Sequence, residues 1–261
     1  MMDEFQFWSL SDGKIEGAKR LIFRNPPVNT LSFESQRELG LLLTQLESSE
    51  DIRVLTVESG TDGYFCSGAE ITELDVLSSD ASAREVVGGL HSLFSRLENL
   101  PQITIAVLDG SAVGGGTELA LACDFRVARS EIRFGLPEIK LGLIPGGGGT
   151  QRLSKIVGQH RALHLILSGK LLKGSDAQTL GLIDRISETG GALDLADALV
   201  IELGAAPGIA MKAAKRAVKA SGNAFGYEVE LEEFVRCAGS DDMKEGVAAF
   251  LERRKPNFRH C

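Results

Sequence analysis

VGGGTELALACD, residues 113–124, sets three glycines directly before a short apolar run and places a glutamate one turn into it. Glycine lacks the Cβ that would hold a ligand or a second backbone away, so a triplet here permits close approach. The run Thr117 to Ala122 reads as the first turns of a buried helix, with Gly115 and Gly116 at its N-terminus. N–H groups at that end have no intrahelical acceptor and sit at the positive pole of the helix dipole. The spacing predicts an anion-stabilising point with an acid/base group, Glu118, one turn away. A second glutamate, Glu138, lies in FGLPEIKLGLIPGGGGTQR at residues 134–152, again beside turn-forming residues. Taken singly, each glycine turn has a plainer reading as tight packing, because such turns are common.

The flanking segments alternate strand and helix signals. Arg20 to Arg24 and Val54 to Ser59 are short β-rich runs, and Ile103 to Asp109 is a nearly continuous apolar run bounded by Pro101 and Gly110, as in a strand buried on both faces. Between them, Ser32 suits the N-cap of a helix whose Leu39, Leu42, Leu43 and Leu46 recur at three- and four-residue intervals. Val86, Val87, Leu90, Phe94 and Leu97 mark a second helix. Strands separated by helices define an α/β core. From Asp176 onward the signals are almost wholly helical, over Ala192–Leu203, Gly208–Ala220, Tyr227–Cys237 and Asp242–Arg254, with Gly204 and Pro207 as a hinge between core and tail. Periodicity alone leaves a doubly wound Rossmann-type sheet open.

With 261 residues, 43% of them hydrophobic, the chain can bury a full core as one large domain or as a domain plus a small appendage. Its longest apolar runs fall far short of the ~20 residues that span a bilayer, so a soluble protein without a membrane partner is expected. A net charge of −8 opposes nucleic acid as a partner, since a phosphate backbone would be repelled. Cys66, Cys123, Cys237 and Cys261 form no CxxC pair and follow no signal-peptide pattern, so free thiols in a reducing, cytoplasmic compartment are expected. Cys66, with no partner histidine at a recognisable spacing, reads as a small packing residue. His160 and His164 lack HExxH surroundings and a third ligand, so no metal site is expected. Pro145 to Thr150 lacks the lysine of a phosphate loop, and with no GxGxxG there or at 114–119 a dinucleotide site is not expected either.

Three segments together, YFCSGAEITEL at 64–74, AVGGGTELALACDFRVA at 112–128 and FGLPEIKLGLIPGGGGTQRL at 134–153, resemble the enoyl-CoA hydratase/isomerase (crotonase) superfamily. The likeness extends to the arm FRNPPVNTLS at 23–32 and the ending KEGVAAFLERRKPNF at 244–258, in the family's order. It implies an α/β crotonase-like spiral of ββα units over 1–204 and a C-terminal helical region over 205–261 that assembles a trimer or a dimer of trimers. By the same resemblance the oxyanion-hole amides fall on Ala69 and Gly115, and the catalytic carboxylates on Glu118 and Glu138. Substrate contacts are expected from Arg24, Ser67, Gly68, Ala69, Ile71, Gly114, Gly146 and Arg253. Gly146 takes the close-approach position in a turn that shapes the water pocket beside Glu138. The resemblance implies an acyl-CoA substrate of fatty-acid metabolism and no cofactor, CoA being part of the substrate. Cys66 and Ser67 stand where small alanines are common, Glu70 where aspartate is usual, and Thr117 where cysteine or another small residue often sits.

Retention of both acids resembles the hydratases most. Adding water across the C2–C3 double bond of an enoyl thioester builds charge on the thioester oxygen, which needs two fixed donors. One carboxylate must take a proton from water and one must deliver a proton to C2. Glu118 holding the water and Glu138 serving C2 is the assignment, with the reverse or a sharing of roles as alternatives. Glu138 capping a helix or pairing with Arg133 is the structural alternative. The rival activities are a Δ3,Δ2-enoyl-CoA isomerase on the same fold, which the arm at 23–32 also resembles, and a non-catalytic or RNA-binding scaffold. Lys19, Arg20 and Arg24 near the arm, and Arg253, Arg254 and Lys255 near the end, are candidate partners for CoA phosphates. Leu77, Leu90 and Phe94 in the 72–100 segment are candidate acyl-pocket walls.

Overall fold

The computed structural model describes residues 5–260. In chain order the strands are β1 (Trp8–Asp12), β2 (Ala18–Phe23), β3 (Thr30–Leu31), β4 (Val54–Ser59), β5 (Tyr64–Cys66), β6 (Gly68–Ala69), β7 (Ile103–Leu108), β8 (Ser111–Val113), β9 (Phe125–Arg129), β10 (Arg133–Gly135), β11 (Leu172–Lys173) and β12 (Arg185–Ser187). The helices are α1 (Phe33–Glu47), α2 (Asp80–Glu98), α3 (Gly115–Ala122), α4 (Gly149–Val157), α5 (Gln159–Ser168), α6 (Gly174–Thr179), α7 (Ala192–Gly204), α8 (Gly208–Lys219), α9 (Gly226–Ala238) and α10 (Asp241–Glu252), with 3-10 turns at Ile71–Ser78 and Glu138–Leu141.

A six-stranded sheet runs in the order β1-β2-β4-β7-β9-β12, and all its pairs are parallel except β1 with β2. A second sheet runs β11-β10-β8-β5, and β3 pairs with β6 beside it. The chain enters the large sheet, crosses to the small one and returns through a helix: β4, β5, α2; then β7, β8, α3; then β9, β10, α4. Each ββα turn stacks on the last, which produces the spiral.

Residue alternation along β7 explains why this sheet is covered on both faces. Ile103, Ile105 and Val107 enter one apolar cluster with Leu199, Val200 and Met211 of α7 and α8. Ala106 and Leu108 enter the other, with Leu39, Leu43 and Leu46 of α1 and Phe94 and Leu97 of α2. Successive strand side chains point to opposite faces, so a strand with apolar residues at nearly every position must be sandwiched. The Ser32 hydroxyl accepts from the Ser35 N–H at 3.2 Å and caps α1, and all four leucines named from its periodicity are buried.

After Asp176 the chain is almost wholly helical, with one short strand: Arg185–Ser187 pairs parallel with β9 at the sheet edge. A three-residue strand is too short for its period to register. At the Gly204–Pro207 junction, Gly204 is buried at the end of α7 against Ile15, Pro207 caps α8, and Met211 and Ala213 are buried beyond it. Cys66, Cys123 and Cys237 are free thiols, and Cys261 lies outside the described residues. Among the described residues no helix is long and apolar enough to cross a membrane.

Candidate active site

The first carboxylate is set by how α3 begins. Gly114 precedes it with φ +56° and ψ −125°, a conformation that a side chain would strain, and donates its N–H to Gly135 O at 2.9 Å. A Cβ at Gly116 would collide with the Cys66 carbonyl, so the bare helix start lets the backbone of β5 pass against it. A Cβ on Gly115 would meet Gly68 Cα at 3.5 Å and Ala69 N at 3.6 Å, which places Ala69 and Gly115 side by side. Gly115 is the first helical residue, so its N–H has no intrahelical acceptor.

One turn on, Glu118 is only 2% exposed. Its Oε1 accepts the N–H groups of Gly147 and Gly149, both at 2.7 Å. Among the described residues its Oε2 accepts no hydrogen bond from the protein. Burial raises the Glu118 carboxyl above the usual carboxylate range, opposed by the Gly149 and Gly147 N–H groups and by the Arg152 charge.

Glu138 opens the 3-10 turn after β10, with its Oε1 over Gly114: a Cβ on that glycine would lie 3.3 Å from it. Its Oε2 is buried without a hydrogen-bond partner. Burial pushes its carboxyl up to about 7; its own backbone N–H opposes that push, and the Glu118 charge adds to it. Arg133 does not pair with it among the described residues; the Arg133 N–H instead donates to Ser111 Oγ at 3.1 Å. The two acids thus lie near enough for the Glu118 charge to act on Glu138, in unlike surroundings.

The glycine turn at 145–149 serves Glu118, not Glu138, and its close approach falls on Gly147 and Gly149, not on Gly146. A Cβ at Gly147 would lie 2.8 Å from both Glu118 Oε2 and the Phe94 ring, and one at Gly149 would lie 2.8 Å from Glu118 Oε1. At Gly146 it would meet only Val87, at an ordinary 3.6 Å. Of the candidate acyl-wall residues, Phe94 is fully buried, whereas Leu77 and Leu90 are half-buried. Gly68 is buried, Ser67 is half-buried with an unpartnered buried hydroxyl, and Ala69 and Ile71 are exposed.

Three of the six candidate phosphate partners are already committed. Lys19 pairs with Asp12 at 2.6 Å, Arg20 with Asp197 at 3.0 Å, and Arg254 with both Glu245 and Glu252 at 2.6 Å. Arg24, Arg253 and Lys255 are exposed. No contact between Arg24 or Arg253 and the carboxylate cleft occurs among the described residues. His160 and His164 are exposed on α5, and no group of three potential metal ligands comes together among the described residues. Burial pushes the Cys66 thiol up to about 12, so it stays protonated. A cavity of about 530 Å³ lined by Leu121, Arg126, Met211 and Lys215 lies at the far end of α3 and touches neither glutamate.

Two residues, Thr117 and Asn29, hold the backbone of the site in place, roles that the sequence does not assign to them. Thr117 Oγ1 donates toward Ala112 O (2.8 Å) and Gly135 O (2.9 Å) and accepts the Gly135 N–H (3.1 Å), tying α3 to both strands that lead into the site. Asn29, fully buried, donates its amide to Ser59 Oγ and Phe65 O and accepts Thr61 Oγ1 at 2.6 Å, while its carbonyl accepts the Ser67 N–H. It fixes the arm at 23–32 to the loop that carries Ala69. The available signal was the polar residue inside an otherwise apolar or turn-forming motif in each case.

Backbone N–H groups at a buried helix start, with two carboxyls of different acidity beside them, can stabilise negative charge on a carbonyl oxygen and move protons next to it. The comparisons agree with that class. Residues 15–260 match the family model described as enoyl-CoA hydratase/isomerase, and the chain belongs to that family. It is 37% identical over 252 residues to a probable enoyl-CoA hydratase of Bacillus subtilis (strain 168), covering 92% of this chain and 94% of that protein. It is also 37% identical over 220 residues to the enoyl-CoA isomerase/hydratase fer4 of Mycosarcoma maydis, covering 83% and 80%. The crystal structure of an enoyl-CoA hydratase from Bacillus anthracis superposes with a TM-score of 0.91 at 30% identity, covering 98% of this chain and 100% of that one. The fold is therefore the crotonase spiral.

Proposed function

We propose that the chain is a hydratase that adds water across the C2–C3 double bond of a 2-enoyl-CoA thioester to give the 3-hydroxyacyl-CoA. The observation that carries this reading is a pair of carboxyls in unlike surroundings, the buried Glu118 held by two N–H groups and the half-buried Glu138 left with an unpartnered buried oxygen. Environments that separate two acids divide the acid and base roles between them. In this reading the thioester oxygen sits against the N–H groups of Ala69 and Gly115, where enolate charge builds. Glu118 takes a proton from water as its oxygen attacks C3, and Glu138 delivers a proton to C2. Proton exchange through solvent from Glu118 to Glu138 then restores the pair.

The pH dependence of kcat/KM for hydration tests this assignment. The profile should be bell-shaped. Activity falls above about 7, where the site loses the proton carried by Glu138, and falls on the acid side as Glu118 becomes protonated. The two apparent values belong to the pair rather than to either residue. A rate that stays flat from about pH 6 to 9 would contradict the division of roles.

Migration of a 3-enoyl double bond to the 2-position is the second reading, favoured by the isomerase/hydratase name of one relative. It needs a proton shuttle and no water, so incorporation of solvent oxygen separates the two.

Residues 1–204 form the catalytic core in this proposal, and 205–261 the oligomerisation region, in a cytoplasmic trimer or dimer of trimers. In support, Phe234 on α9 is 71% exposed, and Phe250 and Leu251 on α10 are 83% and 75% exposed. On α9 the exposed Tyr227, Leu231, Phe234 and Val235 recur at helical spacing and form one apolar stripe, which is unusual on a monomer. Light scattering should give three or six times the chain mass; a stable monomer at micromolar concentration would reject the assembly. Arg24 and Arg253, exposed and outside the internal ion pairs, are the proposed contacts for the CoA phosphates.

A further inference from the structure

Arg152, in the first turn of α4, is 9% exposed, and a guanidinium at that depth is stable only when its donors are met. Its Nε donates to Glu98 Oε2, at the end of α2, at 2.8 Å, and its Nη2 lies in ion-pair contact with the same oxygen at 2.7 Å. Its Nη1 donates to the Gly147 carbonyl at 2.8 Å. Gly147 therefore takes the guanidinium on its carbonyl and gives its N–H to Glu118. Room for this exists because Gly148 has φ +97° and no side chain; a Cβ there would collide with Arg152 Nη1. Glu98 is itself anchored, since its backbone carbonyl accepts Lys219 Nζ from α8. Buried ion pairs are often no more stabilising than apolar residues of the same volume. Packing alone is a weak reason for this one.

We propose that Arg152, seated on Glu98, is a positioning residue for Glu118: it locks the 147–149 turn so that two N–H groups converge on Oε1 and leave Oε2 to face the reacting water. The proposal rests on Glu118 being the water-holding carboxylate. The charged groups around Glu118 are Arg152 from α4, Glu138 from the 3-10 turn, and Glu98 from α2 behind Arg152. Loss of Arg152 frees the turn and also removes the cation beside it, and both changes make Glu118 harder to ionise.

The test compares Arg152→Met, Arg152→Lys and Glu98→Gln with the unaltered protein. The Glu118 carboxyl is titrated by carbon-13 NMR, assigned from the Glu118→Gln difference spectrum, alongside the pH dependence of hydration. In Arg152→Met the Glu118 titration and the acid limb of kcat/KM should both move up by about 1 pH unit. Its kcat should fall at least ~10-fold with KM little changed. Arg152→Lys should recover most of the pH position but less of kcat, since lysine cannot bridge Glu98 and Gly147 in the same fork. Glu98→Gln should give an intermediate shift. A folded Arg152→Met protein with an unmoved Glu118 titration would overturn the proposal. Should that variant fail to fold, unmoved titrations in both Arg152→Lys and Glu98→Gln would overturn it instead. Full hydration by Glu118→Gln would reject the catalytic reading of Glu118, a separate failure, because the NMR titration still reports whether Arg152 positions that carboxyl.

Discussion

Glu118→Gln should lower hydration of a short 2-enoyl-CoA by about 1000-fold, within the range that general acid/base groups contribute. Glutamine keeps the shape and an oxygen that can accept the Gly147 and Gly149 N–H groups, so the turn stays in place while the titrating oxygen is lost. Glu138→Gln should be as damaging, because C2 then has no proton donor. The two variants differ in double-bond migration: a single carboxylate can carry a proton between C2 and C4, so Glu118→Gln retains part of any isomerase activity and Glu138→Gln loses it. Acids that act as a unit are non-additive, and the double variant should hydrate little worse than either single one. Loss of the conjugated thioester absorbance, followed with circular dichroism as a fold control, reads all three.

Gly115→Pro should cut turnover by about 100- to 1000-fold, the usual effect of losing one oxyanion donor. Proline is well tolerated at the first helical position, where its missing N–H breaks no intrahelical bond, so α3 can still form. Gly115→Ala is the matched control. A methyl there meets its nearest neighbours at 3.5 Å, an ordinary contact, and leaves the N–H in place. Near-normal turnover in a folded Gly115→Pro protein would remove this amide from the mechanism. Equal losses in both variants would point to crowding instead.

How far the site is legible in the sequence depends on the length over which a signal acts. The α3 start needed only three glycines and an acid one turn on, because helix geometry carries a local pattern directly to a position in space. The leucines of α1 and the run at β7 are periodic over enough residues to declare which faces are buried. Strands such as β5, β8, β10 and β12 have three residues each, below what a two-residue period can mark. The glycine turn is hidden for a different reason. Four consecutive glycines are indistinguishable in sequence, and only the path of the turn decides that Gly147 and Gly149 face Glu118. The surroundings of the candidate phosphate partners are hidden for a similar reason: Lys19 and Arg20 meet Asp12 and Asp197, and the Arg20 partner lies far along the chain where no local pattern reveals it. Arg152 was visible as a residue of GGGGTQR, but its meaning required Glu98 beside it.

The central claim is that this cleft adds water to an enoyl thioester. Its most direct test is incubation of the purified protein with crotonyl-CoA in oxygen-18 water, with mass spectrometry of the product. The account predicts a 3-hydroxyacyl-CoA that carries one solvent oxygen at C3, formed by the unaltered protein and lost in Glu118→Gln. Consumption of a 3-enoyl-CoA to the 2-enoyl isomer, with no hydration of crotonyl-CoA and no oxygen-18 at C3, would contradict it.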